Sequence, residues 1–190
     1  MQNNQEKFTV DIYTDGACSG NPGVGGWGVV ITLGDFFKEF SGAEVNTTNN
    51  RMEMTAVIKA LSALKFPCDV NLYSDSAYVV NAFSQNWIDG WVKNNWKGAS
   101  GDSVKNRDLW EELLKLTKAH SVNFIKVKGH AENELNNRCD ALATGAIKDF
   151  IKAHPEYAAA NEEASSSPKK ETKKISKEEF DNLIDDGENV

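Results

Sequence analysis

The stretch from Val10 to Leu33, VDIYTDGACSGNPGVGGWGVVITL, constrains the fold most strongly. Its two β-branched and aromatic runs read as strands over residues 7–15 and 27–33, with the chain turning through small residues and glycines between them. A third strand, FFKEFSG at 36–42, follows the short turn Gly34-Asp35, so the chain opens as a β-meander. The period then changes. From about Asn50 to Lys65, Met54, Ile58, Leu61 and Leu64 or Lys65 recur at helical spacing, and Pro67 stops the helix. DVNLYSDS reads as a fourth strand, residues 76–84 and 104–119 as helical stretches, and VNFIKVK as a fifth strand. The last helix runs from about Asn133 to Lys152, with Leu135, Cys139, Leu142 and Ala146 on one face. This order implies an α/β fold: a five-stranded mixed sheet flanked by helices.

At 190 residues and 40% apolar content the chain can bury one sizeable core. After His154-Pro155 the composition turns to EYAAANEEASSSPKKETKK, poor in large apolar side chains, so a folded domain over 1–154 and a polar linker over 155–190 are expected. Within that tail ISKEEFDNLI places Ser176 as an N-cap with Glu179 three residues on. A short helix over about 177–185 is expected, with Phe180, Leu183 and Ile184 on one face, able to dock on this chain or on a protein partner. The N-terminus lacks the basic and apolar regions of a secretory signal, and no run approaches the roughly 18 apolar residues of a membrane span. A cytoplasmic protein, monomeric and without a membrane partner, is the expectation. Cys18, Cys68 and Cys139 are too widely spaced for a zinc site or a disulfide framework and are read as reduced thiols. The net charge of −7 argues against a nucleic-acid partner. That objection weakens on division: residues 155–190 hold 5 Lys against 10 Asp and Glu, a net of −5, which leaves −2 for residues 1–154.

Four carboxylates stand out. Asp15 ends the first strand and Asp75 the fourth, where each alone could be a turn or capping residue. Glu53 lies near the start of the first helix, where a capping partner for Asn50 is the alternative. Asp140 lies in the last helix beside Cys139. If the first and fourth strands are parallel neighbours, Asp15 and Asp75 face each other in the crevice at their carboxyl ends. Glu53 can join them, and clustered carboxylates need raised pKa values or a cation. Oxygen-only ligands suit Mg²⁺ or Mn²⁺.

TDGACSGNPGVGGWG, TTNNRMEMTAVIKAL, LYSDSAYV, VKNRDLW and VKGHAENELNNRCDALA resemble the successive motifs of type 1 ribonuclease H, in order and over roughly residues 7–150. The resemblance implies a ribonuclease H-like fold and an endonuclease that cuts the RNA strand of RNA/DNA hybrid duplexes, leaving 5'-phosphate and 3'-OH ends. It places the metal-site carboxylates on Asp15, Glu53, Asp75 and Asp140, and the catalytic-loop histidine on His130. Asp15 would bridge two Mg²⁺ ions about 4 Å apart, Asp75 and Asp140 would complete their ligation with it, and Glu53 would ligate one ion while reaching a ribose 2'-OH. His130, a surface residue on any plain reading of KGHAEN, would shuttle protons.

The same resemblance implies substrate contacts at Cys18, Ser19, Asn21, Asn49, Asn50 and Asn136, a DNA-phosphate pocket at Thr48 and Asn106, and a DNA grip at Lys93 and Trp96. Burial is the plain reading for Trp87 and Trp91, whereas Trp96 lies among polar residues and is the better candidate for contact with DNA sugars. Val92, Asn94 and Asn95 stand where relatives often carry Lys, Arg or Gly, Asn46 replaces an Arg, and Ala77 replaces a Gln. Weaker hybrid binding is therefore expected. The alternatives are another nuclease of the same fold or a non-catalytic hybrid-binding module, the latter expected to have lost a carboxylate.

Overall fold

A computed structural model describes residues 8–128 and 133–158. In chain order its elements are β1 (Thr9–Gly20), β2 (Gly23–Leu33), β3 (Phe36–Thr47), α1 (Asn49–Ser62), β4 (Asp69–Ser74), α2 (Ala77–Ser84), α3 (Trp87–Lys93), α4 (Arg107–Ala119), β5 (Ser121–Lys126) and α5 (Glu134–Ala153). The sheet order is β3-β2-β1-β4-β5. β1 pairs antiparallel with β2 and β2 with β3, while β4 lies parallel to both β1 and β5. This is the mixed sheet expected from the sequence, with β1 and β4 as parallel neighbours.

Alternation along β1 and β4 decides which face is buried. Val10, Ile12, Val70 and Leu72 point into a core closed by Val57 and Leu61 of α1 and by Trp110 and Leu113 of α4. α5 covers the opposite face over β2 and β1, burying Cys139, Ala143 and Ile147.

β1 and β2 run further than their apolar stretches, because the glycine-rich segment pairs from Asp15↔Gly28 to Gly20↔Gly23. Several of these glycines are seats for helices. A Cβ on Gly16 would lie 2.2 Å from the Glu53 backbone nitrogen, and one on Gly28 would lie 2.2 Å from the Cys139 carbonyl oxygen. Absence of side chains lets α1 and α5 descend onto the sheet at the level of Asp15.

Side chains set three helix starts. Thr48 Oγ1 accepts from the Arg51 N–H, Ser76 Oγ from Val79 and Asn133 Oδ1 from Asn136. With Thr48 as the cap, the alternative of Glu53 as a capping partner for Asn50 falls away. α1 ends at Ser62, short of the anticipated Lys65. α5 leads into a short 3₁₀ turn, Pro155–Tyr157, where Phe150 stacks 4.5 Å from His154 and 5.6 Å from Tyr157. The tail helix expected over 177–185 lies outside the described residues. Among the described residues no helix is long and apolar enough to cross a membrane.

Candidate active site

Thr14↔Ser74 is the last pair of the parallel β1–β4 ladder, so Asp15 and Asp75 emerge side by side where that ladder ends. β4 stops at Ser74, whereas β1, expected to end at Asp15, runs on to Gly20 because its glycine-rich continuation stays paired with β2. α1, seated on Gly16, brings Glu53 to them. α5, seated on Gly28 across from Asp15, brings Asp140 from the other face. The four carboxylates line one open pocket of about 320 Å³ together with Cys18 and Asn49.

Their proximity has an electrostatic cost. Burial, followed by the charge of Asp75 and then those of Asp140 and Glu53, pushes the Asp15 carboxyl up from 3.8 to about 7, against a 2.7 Å hydrogen bond donated by the Gly16 N–H. Burial also raises Glu53, and the Asp75 charge adds to it; Ser76, Lys126 and Asn49 pull the other way. Asn49 Nδ2 donates to Glu53 Oε1 at 3.0 Å, and the Ser76 hydroxyl donates to Oε2. Burial and the nearby Asp15 charge lift the Cys139 thiol to about 12, which keeps it protonated and inert beside the cluster.

Among the described residues no three His, Cys, Asp or Glu side chains already close around one point as the ligand set of a single ion. The donors nevertheless fit hard divalent cations: they are carboxylate oxygens on a shared pocket, and the raised carboxyl of Asp15 is the signature of an anionic cluster that a cation would relieve. Among the described residues lining this pocket there is no His, and its cysteine, Cys18, is raised by burial. Soft-metal chemistry is disfavoured by that set.

The remaining sequence-predicted residues divide by place. Ser19 and the exposed Asn21 lie at the β1–β2 turn, next to the pocket that holds Cys18. Asn50 and Asn106 line a second pocket of about 290 Å³ with Tyr78 and Trp91. Thr48, the N-cap of α1, immediately precedes Asn49 of the first pocket and Asn50 of the second. Asn106 adopts φ 58° at the start of α4 and accepts from Arg51 Nη1 at 3.4 Å, while Arg51 forks onto Asp108 at 3.1 and 2.7 Å. Lys93 is exposed at the end of α3, apart from both pockets. Asn136 is 2% exposed on the first turn of α5, with no partner for Oδ1 among the described residues. His130 lies outside the described residues.

Trp96 departs from expectation. It is 8% exposed and packed into the core, with the Arg107 guanidinium 5.4 Å from its ring. Its left-handed backbone, φ 59°, turns the ring inward despite its polar neighbours in sequence. Of the three grip-segment tryptophans Trp87 is exposed, at 37%, and Trp91 is partly buried against Trp110.

Two partners of the carboxylates escaped sequence reading. Ser76 was visible only as a Ser between Asp75 and a helix. Lys126 gave no signal, because only the folded sheet carries its Nζ to the Asp75 backbone carbonyl.

The fold and the carboxylate pocket define a domain of the ribonuclease H-like class. A family model described as RNase H matches residues 7–148. The chain is 59% identical over 155 residues to the ribonuclease H of Caldanaerobacter subterraneus subsp. tengcongensis, covering 82% of this chain and 100% of that protein. Among solved structures it resembles LC9-RNase H1, described as a type 1 RNase H with the type 2 active-site motif, at 26% identity and TM-score 0.68 over 84% of this chain and 87% of that one. It also resembles LC11-RNase H1 in complex with RNA/DNA hybrid, at 26% identity and TM-score 0.58 over 75% and 99% of the two chains. The chain belongs to the RNase H family.

Proposed function

We propose that this chain hydrolyses the RNA strand of RNA/DNA hybrid duplexes as an endonuclease, with Mg²⁺ at the carboxylate pocket and Mn²⁺ as a substitute. The observation that carries the reading is the convergence of Asp15 from β1, Glu53 from α1, Asp75 from the turn after β4 and Asp140 from α5 on one open pocket. The hybrid bound to the LC11 relative supports the substrate class. Retention of all four carboxylates favours catalysis over a binding module.

Asp15, Asp75, Glu53 and Asp140 would hold the ions. When bound, Mg²⁺ supplies Lewis-acid activation of water and neutralises the charge that develops on phosphate oxygens. Glu53, fixed through both carboxylate oxygens, presents an acceptor to the ribose 2'-OH, the group that separates RNA from DNA. The backbone around Cys18 and Ser19 lies against the RNA strand. Thr48 and Asn106 receive a phosphate of the DNA strand, and His130 carries a proton to or from the reacting oxygens. One chain supplies all four carboxylates, so the enzyme works as a monomer. We assign it to the cytoplasm, with a catalytic domain over 1–154 and residues 155–190 as an appended docking segment.

End-group analysis tests this reading. With a hybrid, duplex RNA and duplex DNA offered in Mg²⁺, RNA-strand cuts in the hybrid alone, with 5'-phosphate and 3'-OH ends, are expected. Cyclic phosphate ends, or equal cutting of duplex RNA, would overturn it.

A further inference from the structure

Ser76 sits between Asp75 and α2 and is 3% exposed. Its backbone N–H donates to Ser74 Oγ at 3.1 Å, which ties the turn that carries Asp75. Its hydroxyl oxygen accepts the Val79 N–H at 3.3 Å. A hydroxyl has one proton to give, and with the oxygen already accepting, that proton goes to Glu53 Oε2. One side chain therefore starts α2 and grips a carboxylate of α1. Among the described residues the other Glu53 oxygen is held only by Asn49, in an exposed bond at 3.0 Å.

We infer that Ser76 is the positioning residue for Glu53: by donating to Oε2 it holds the carboxylate on the pocket and couples the placement of Glu53 to that of Asp75. The inference rests on the metal-dependent reading above. Without this donor, Glu53 keeps the weaker, exposed partner and faces the like charge of Asp75, so it swings outward and meets the ion and the ribose hydroxyl less often. Ser76 is buried and does not line the carboxylate pocket, so it acts through Glu53.

The test separates gripping from capping. Glycine is nearly as good an N-cap as serine, so Ser76→Gly should keep the thermal midpoint close to wild type while removing the donor. In Ser76→Gly, Mg²⁺ affinity measured by calorimetry without substrate, and kcat on a hybrid, should each fall about 10- to 100-fold, the scale of a lost hydrogen bond to a charged group. Ser76→Thr should restore both. Ser76→Ala also removes the donor without adding a charge, and should lose at least as much, which provides a second arm should glycine loosen the turn. On a Glu53→Gln background the Ser76→Gly change should cost no further Mg²⁺ affinity. Wild-type affinity and kcat in both Ser76→Gly and Ser76→Ala, or an unchanged penalty on the Glu53→Gln background, would overturn the assignment. A Glu53→Gln chain that itself loses nothing would overturn the metal-site reading as well.

Discussion

Asp15→Asn removes a negative charge that the folded chain carries at a cost. The carboxyl is lifted from its ordinary 3.8 to about 7, first by burial and then by Asp75. An anion disfavoured to that degree corresponds to about 4 kcal/mol. The pocket is open to solvent, and screening reduces the effect on stability to about 2 kcal/mol. The sign follows from proton counting. Between about pH 4 and about pH 7 the folded chain binds the Asp15 proton more tightly than the unfolded chain does, so its stability falls as pH rises through that window, and the cost is complete above about pH 7. Asparagine has no such titration. In EDTA at about pH 8 the Asp15→Asn chain should therefore exceed wild type by about 2 kcal/mol, raising the thermal midpoint by about 4–8 °C for a domain of this size. At about pH 4 the difference should nearly vanish. Saturating Mg²⁺ should reverse the order, because an ion that binds only the folded wild-type pocket stabilises that chain by mass action. Urea denaturation at the two pH values, with EDTA and with Mg²⁺, reads all of this. An Asp15→Asn chain less stable than wild type in EDTA at about pH 8, or a wild-type curve without the downward slope, would refute the argument.

His130→Ala should lower kcat by roughly 10- to 1000-fold, the scale of lost proton-transfer assistance, with little change in KM and with Mg²⁺ affinity retained. Steady-state kinetics with a calorimetric control decide this, and an unchanged kcat would leave His130 a surface residue. Val92 is 49% exposed and Asn94 is exposed at the end of α3, so Val92→Lys with Asn94→Lys should tighten hybrid binding. Each new phosphate contact should steepen the slope of log affinity against log salt by about 0.9. An unchanged slope would place this segment away from the DNA. A chain ending at His154 loses the Tyr157 ring beside Phe150 and should still fold, cleave in Mg²⁺ and bind hybrid at least as tightly as the full chain, measured by circular dichroism, cleavage and fluorescence anisotropy. Unfolding or loss of cleavage would move the domain boundary into the tail.

Strand periodicity made the sheet legible, because Val10, Ile12, Val70 and Leu72 alternate with polar residues that the fold leaves on the other face. The end of each apolar run marked Asp15 and Asp75; β4 does end at Ser74, whereas β1 continues to Gly20, so what brings the two together is the end of the parallel β1–β4 ladder at Thr14↔Ser74. The glycines of GACSGNPGVGG misled on extent, since nothing local distinguishes a glycine that turns the chain from one that seats a helix. Gly16, against α1, and Gly26, against Ala143 of α5, are of the second kind. Trp96 was misjudged because polar neighbours in sequence say little about a side chain whose backbone takes a left-handed turn into the core. Ser76 and Lys126 were illegible as partners of Glu53 and Asp75, because each contact spans more than twenty residues and exists only across elements.

The central claim is that four carboxylates on one pocket hold the ions that cut RNA. Single-turnover cleavage of a hybrid with its RNA strand labelled, in Mg²⁺ and in EDTA, tests it most directly when wild type is run beside Asp15→Asn, Glu53→Gln, Asp75→Asn and Asp140→Asn. Rapid cutting by wild type in Mg²⁺ alone, with severe loss in each variant while circular dichroism shows the fold intact, is the predicted result. Cleavage that persists in EDTA, or a folded Asp15→Asn chain cutting at the wild-type rate, would contradict it.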